Sequence, residues 1–124
     1  MCKREDVSKE ILEEWGELQQ SLHNLFKERN KELVKEPMQR GIALFIEFLQ
    51  WVNGNPVGKE HAMNYEQLRI KPVNIEERLS YILTRPNAYP SYMQLIELMK
   101  ELEKQYEKSM AIKRTMPDKM KKKH

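Results

Sequence analysis

Between Ser8 and Lys35 there is no proline and only one glycine, and apolar residues recur at Ile11, Leu12, Trp15, Leu18, Leu22, Leu25, Phe26 and Leu33. Steps of three and four place them on one face of a helix, whereas a strand would need strict alternation. The spacing predicts a long amphipathic helix. Asp6 or Ser8 offers a side-chain oxygen to cap its start, and Glu36, pushed out of the helical region by Pro37, supplies the stop. Glu10, Glu13, Glu14, Glu17, Lys27, Glu28 and Lys31 fall on the other side and are expected in water.

Pro37 suits the first position of a second helix through Met38, Ile42, Leu44, Phe45, Phe48, Leu49, Trp51 and Val52. Apolar residues lie nearly all round it, which predicts the central, most buried element. Asn53-Gly54-Asn55-Pro56 ends it. Residues 53–73 are the least regular part, with a short helix expected over Glu60 to Leu68 and an extended segment from Arg69 to Val73.

A third helix takes Asn74 as cap, with Glu77 reaching back, and carries Ile75, Leu79, Ile82 and Leu83 on one face before Arg85-Pro86. Ser91 with Gln94 starts a fourth, on which Leu95, Ile96, Met99, Leu102, Tyr106 and Met110 keep one face. Glu97 with Lys100, and Glu101 with Lys104, suggest i,i+3 pairs on its exposed side. The expected fold class is therefore all-α: a compact four-helix bundle in a single domain, irregular between the second and third long helices. Trp15, Phe45, Leu49, Leu79, Ile82, Leu95 and Leu102 are its expected core.

Composition bounds the function classes. Apolar residues at 40 % and charged residues at 33 % suit a globular domain with a heavily charged exterior. Cys2, the only cysteine of the 124 residues, allows no internal disulfide. The longest apolar run, Ile42 to Val52, is broken by Glu47 and Gln50, and the first residues are charged, so neither a membrane span nor a signal peptide is expected and the cytoplasm is the default. From Lys113 to His124 six Lys/Arg stand against one Asp, leaving 16 basic and 18 acidic residues in 1–112. Residues 1–112 thus read as the helical domain and 113–124 as a basic, flexible tail.

Chemical motifs are few. The glycines are isolated, no cysteine pair or closely spaced histidine pair is present, and His23, His61 and His124 lie far apart, so no catalytic residue, metal site or cofactor is assigned. Glu13-Glu14-Trp15-Gly16-Glu17 resembles the first acidic motif of all-α nucleoside triphosphate pyrophosphohydrolases, where carboxylates one turn apart share magnesium. The second motif is missing: Glu47 with Gln50 lacks one charge. A denser constellation lies later in the chain, with Arg69, Lys71, Arg78, Arg85, Tyr89 and Tyr92 as candidate binding residues. Arginine and tyrosine both give large contact area with directed hydrogen bonds, although both also serve structural roles.

The run Lys71-Pro72-Val73-Asn74-Ile75-Glu76-Glu77-Arg78-Leu79, followed by Arg85-Pro86, Ser91-Tyr92, Gln94-Leu95 and Glu97-Leu98, resembles the YpoC-like proteins of Bacillus-type bacteria, with a weaker likeness reaching back to Trp51-Val52-Asn53-Gly54. That family has no assigned activity. The resemblance implies a small bacterial cytoplasmic protein and carries no catalytic residues across. The function expected from the sequence is non-catalytic: an interaction or adaptor domain for an unidentified protein partner, with a homo-oligomer also open. Nucleic-acid binding through the basic tail and the arginines is the second reading, and a magnesium-dependent pyrophosphohydrolase the third.

Overall fold

The computed structural model describes residues 3–55, 57 and 64–115, with side chains from Val7 to Ile112 within those ranges. It is all helical there: α1 (Lys3–Lys27), α2 (Lys35–Val52), α3 (Ile75–Thr84) and α4 (Tyr89–Thr115), with one 3₁₀ turn, Tyr65–Gln67. α1 packs on α2, α2 on α4 and α3 on α4, so α2 and α4 form the middle of the bundle. All seven expected core residues are buried.

α1 ends eight residues earlier than its periodicity predicts. Arg29 takes a left-handed backbone (φ 59°), Asn30 N donates to Leu25 O at 3.1 Å and Arg29 N to Phe26 O at 3.0 Å. This pair of bonds satisfies the last carbonyls of a helix and normally uses glycine, so nothing in the sequence marked it. Leu33, expected on the core stripe, is 58 % exposed, and Val34 is buried in its place. α1 also starts at Lys3, which puts Asp6 and Ser8 inside the helix instead of at its cap.

Pro37 is the third residue of α2, not the first. The opening amides of a helix have no acceptor within it, so proline costs no hydrogen bond at this position either. The expected end is found: Gly54 is left-handed at φ 75°, with Gly54 N bonded to Trp51 O and Asn55 N to Gln50 O. Ten of the 18 residues of α2 are buried, as befits a central helix.

Asn53 organises the irregular segment. Its Nδ2 donates to Leu49 O and to Ile70 O, both at 2.8 Å, and its Oδ1 accepts from Arg69 N and Ile70 N, both at 2.9 Å. One side chain thus ties the returning chain to the end of α2, and Leu68 and Pro72 are buried on either side of the tie. Of the helix expected over Glu60 to Leu68 only the 3₁₀ turn appears, capped by Asn64 Oδ1 on Glu66 N; residues 60–63 lie outside the described residues.

Neither expected capping box forms. Asn74 is left-handed (φ 55°) and makes no side-chain cap bond; its carbonyl accepts from Arg78 N instead. α4 begins at Tyr89, two residues before Ser91, and Ser91 is fully buried with its Oγ lacking a hydrogen-bond partner. Leu83 is exposed, since the face of α3 toward the core is Ile75, Leu79 and Ile82. α4 continues to Thr115, while Met116 to His124, like Cys2, lie outside the described residues.

Candidate interaction surface

The six candidate residues separate into three environments. Arg78 is engaged inside the fold. Nε donates to Gln94 Oε1 at 2.6 Å, Nη1 to Val73 O at 2.9 Å, and Nη1 and Nη2 to the two oxygens of Glu101 at 3.1 and 2.8 Å. A planar guanidinium matches a carboxylate in this way, and the arrangement locks α3 onto α4. It also takes Glu101 away from the helix-surface pair expected with Lys104. Arg69 and Lys71 belong to the segment held by Asn53: Arg69 has an exposed side chain, and Lys71 Nζ donates to Tyr65 O at 2.7 Å.

Arg85, Tyr89 and Tyr92 lie where α3 turns into α4. Tyr92 is 3 % exposed, and its hydroxyl donates to Gln19 O at 3.2 Å, joining α4 to α1. Burial, then the neighbouring Tyr89, raises its pKa above the ordinary tyrosine value, so it stays a neutral donor. Tyr89 is 55 % exposed and yet positioned: its ring meets Phe26 edge-on at 5.6 Å and lies 6.0 Å from Tyr92, while Phe26 and Tyr92 stack at 5.0 Å. Tyr81, Leu83 and Met93 are exposed on the flanking turns. Asn87 Nδ2 donates to Lys31 O at 3.2 Å, which brings the α1–α2 turn and exposed Leu33 to the same end of the bundle. The exposure of Leu33 escapes a periodicity argument because it depends on where α1 ends, and that of Leu83 because α3 turns Ile75, Leu79 and Ile82 inward.

The acidic turn of α1 has a partner that sequence spacing does not show. Arg40 of α2 donates from Nε to Glu14 Oε2 at 2.6 Å and from Nη2 to Glu14 Oε1 at 2.9 Å, and its Nη1 lies 3.7 Å from Glu47 Oε2. The hydrogen bonds from Arg40 hold the Glu14 carboxyl below the usual glutamate range. Glu13 and Glu17 are exposed. Among the described residues, no three His, Cys, Asp or Glu side chains gather as a metal site would require, and no helix is long and apolar enough to cross a membrane.

The family model for YpoC-like proteins matches residues 5–114, nearly the whole helical region. The chain belongs to the YpoC-like family. A Bacillus subtilis relative, "Uncharacterized protein YpoC", is 31 % identical over 109 residues, covering 84 % of this chain and 65 % of that protein. The chain therefore spans just under two thirds of this YpoC-like relative's length. No solved structure matches it. The family match extends beyond the run from Lys71 to Leu98 and the stretch from Trp51 to Gly54, and takes in nearly all of α1, with Phe26, and the whole of α2.

Proposed function

We propose that this YpoC-like protein is a non-catalytic, cytoplasmic interaction domain that docks a partner protein at the end of the bundle where α3 turns into α4. The observation that carries the reading is Tyr89: more than half its surface faces solvent, while Phe26 and Tyr92 fix its ring. An aromatic side chain ordered before binding loses little conformational freedom when a partner covers it, which is how rigid aromatic anchors come to dominate interfaces. Arg40, bonded to Glu14, supports a structural role for the acidic turn over a magnesium site.

The test is photo-cross-linking in the native bacterium, with a photoreactive amino acid at position 83, 89 or 93 and, as controls, at 13 or 17. Discrete adducts are expected from the first set alone. Adducts arising only from positions 13 and 17, or none from the first set, would reject this surface. Magnesium-dependent nucleotide hydrolysis by the purified protein, lost on replacing Glu13 and Glu17 with Gln, would reject the non-catalytic reading.

A further inference from the structure

The charge around Tyr89 bears on what kind of partner it meets. Between Glu77 and Glu97 the chain has two arginines, Arg78 and Arg85, and no carboxylate. Arg78 is engaged with Glu101, but the exposed Arg85 side chain has no ion pair or hydrogen-bond partner among the described residues. It follows Tyr81 by four positions and precedes Tyr89 by four. Across the Asn87–Lys31 bond, the α1–α2 turn together with the helix ends that flank it adds exposed Lys27, Arg29, Lys31 and Lys35 against Glu28, Glu32 and Glu36. This end is net positive, whereas farther along α1 the exposed residues include Glu10, Glu13 and Glu17.

We propose that this end of the bundle takes an acidic, apolar segment of a partner protein. Arg85 grips a carboxylate, while Leu33, Leu83 and Tyr89 cover the segment's apolar side chains. The assignment rests on the interaction reading above and adds the chemistry of the occupant. A free guanidinium at the same end of the bundle as exposed apolar groups suits a carboxylate flanked by hydrophobic residues, because the fork binds both oxygens and apolar contact excludes water. A nucleic-acid backbone would need many phosphates neutralised, and the small excess of positive charge at this end matches one or two carboxylates instead. A second copy would bring the same positive end against itself in a symmetric pair, which like charge disfavours.

Two short helical peptides serve as probes, sharing one Leu/Phe face and differing only in having Glu or Lys on the flanks. They are titrated into the isotope-labelled full chain and followed by NMR. The Glu peptide should bind about tenfold or more tighter than the Lys peptide at low salt, with shifted amides concentrated at 31–34 and 85–93. Arg85→Glu should cancel or reverse that preference; Arg85→Gln, which adds no charge, should reduce it and covers the case in which the first variant is unstable. Equal affinity of the two peptides at this end would overturn the acidic assignment and leave the interaction reading standing. Binding of neither peptide, binding elsewhere, displacement of the Glu peptide by a DNA duplex, or self-association through this end would also overturn it. The cross-linking experiment tests the interaction reading independently of charge.

Discussion

Arg78 on α3 and Glu101 on α4 meet side by side, Nη2 to Oε2 at 2.8 Å and Nη1 to Oε1 at 3.1 Å, with the arginine side chain only 19 % exposed. A residue that reads from the sequence as a surface binder is thereby a clamp between helices. Arg78→Ala should cost about 2 kcal/mol in urea unfolding, since it removes charge-assisted bonds and leaves Gln94 and Val73 O without a donor. Arg78→Lys should recover less than half of that, because an ammonium cannot reproduce the fork. A loss within about 0.5 kcal/mol, the usual range for surface substitutions, would show the clamp to be idle.

Asn53 should respond to substitution according to its two ends. Ala removes four hydrogen bonds and should destabilise the domain by about 2–3 kcal/mol. Asp keeps an acceptor for Arg69 N and Ile70 N but turns a carboxylate oxygen toward Leu49 O and Ile70 O. It should therefore rescue little. Full stability of Asn53→Asp would mean that the two donated bonds contribute nothing.

A Cβ built on Gly41 would lie 2.9 Å from Trp15 Cζ3 and 3.1 Å from Leu95 Cδ2, so α1, α2 and α4 meet at this backbone. Alanine is the better helix former by about 1 kcal/mol, but overpacking a core costs about 1–3 kcal/mol. The crowding should win, making Gly41→Ala destabilising by about 1 kcal/mol. Trp15→Phe in the same chain should relieve it, giving a favourable coupling in a double-mutant cycle. Simple additivity would show that the ring is free to move.

Two glutamates should tilt the pH dependence in opposite directions. Hydrogen bonding from Arg40 lowers the Glu14 pKa, so its stabilisation is present above the unfolded-state value and is lost as pH falls through the lower folded value. Burial, then the charge of Glu107, raises the Glu103 pKa, so its contribution is full below the unfolded-state value and is lost as pH rises through the folded one. Glu103→Gln should therefore stabilise the protein at neutral pH, with the advantage vanishing below about pH 4. Glu14→Gln should destabilise it at neutral pH and flatten the acid limb. Thermal melts across pH read both, and a Glu103→Gln advantage that does not vary with pH would contradict the burial account.

The sequence by itself determined the elements that repeat. Apolar residues three and four apart must be covered, so Trp15, Phe45, Leu49, Leu79, Ile82, Leu95 and Leu102 are buried, and an all-helical fold with α2 inside it follows from local periodicity. Gly54 marked the end of α2 for an equally local reason, its tolerance of a left-handed backbone. What only the tertiary structure decided were the ends and the partners. Arg29 adopts the left-handed turn that glycine would normally take, exposing Leu33, and α4 starts early enough to bury Ser91. Arg78 finds Glu101 at a separation of 23 residues, Arg40 finds Glu14 at 26, and Tyr92 reaches Gln19 at 73. A long charged or aromatic side chain can satisfy its local surroundings in several ways. Only the packing of one helix on another selects the partner, which is why Arg78 and Tyr92 became structural while Arg85 and Tyr89 were left facing the solvent.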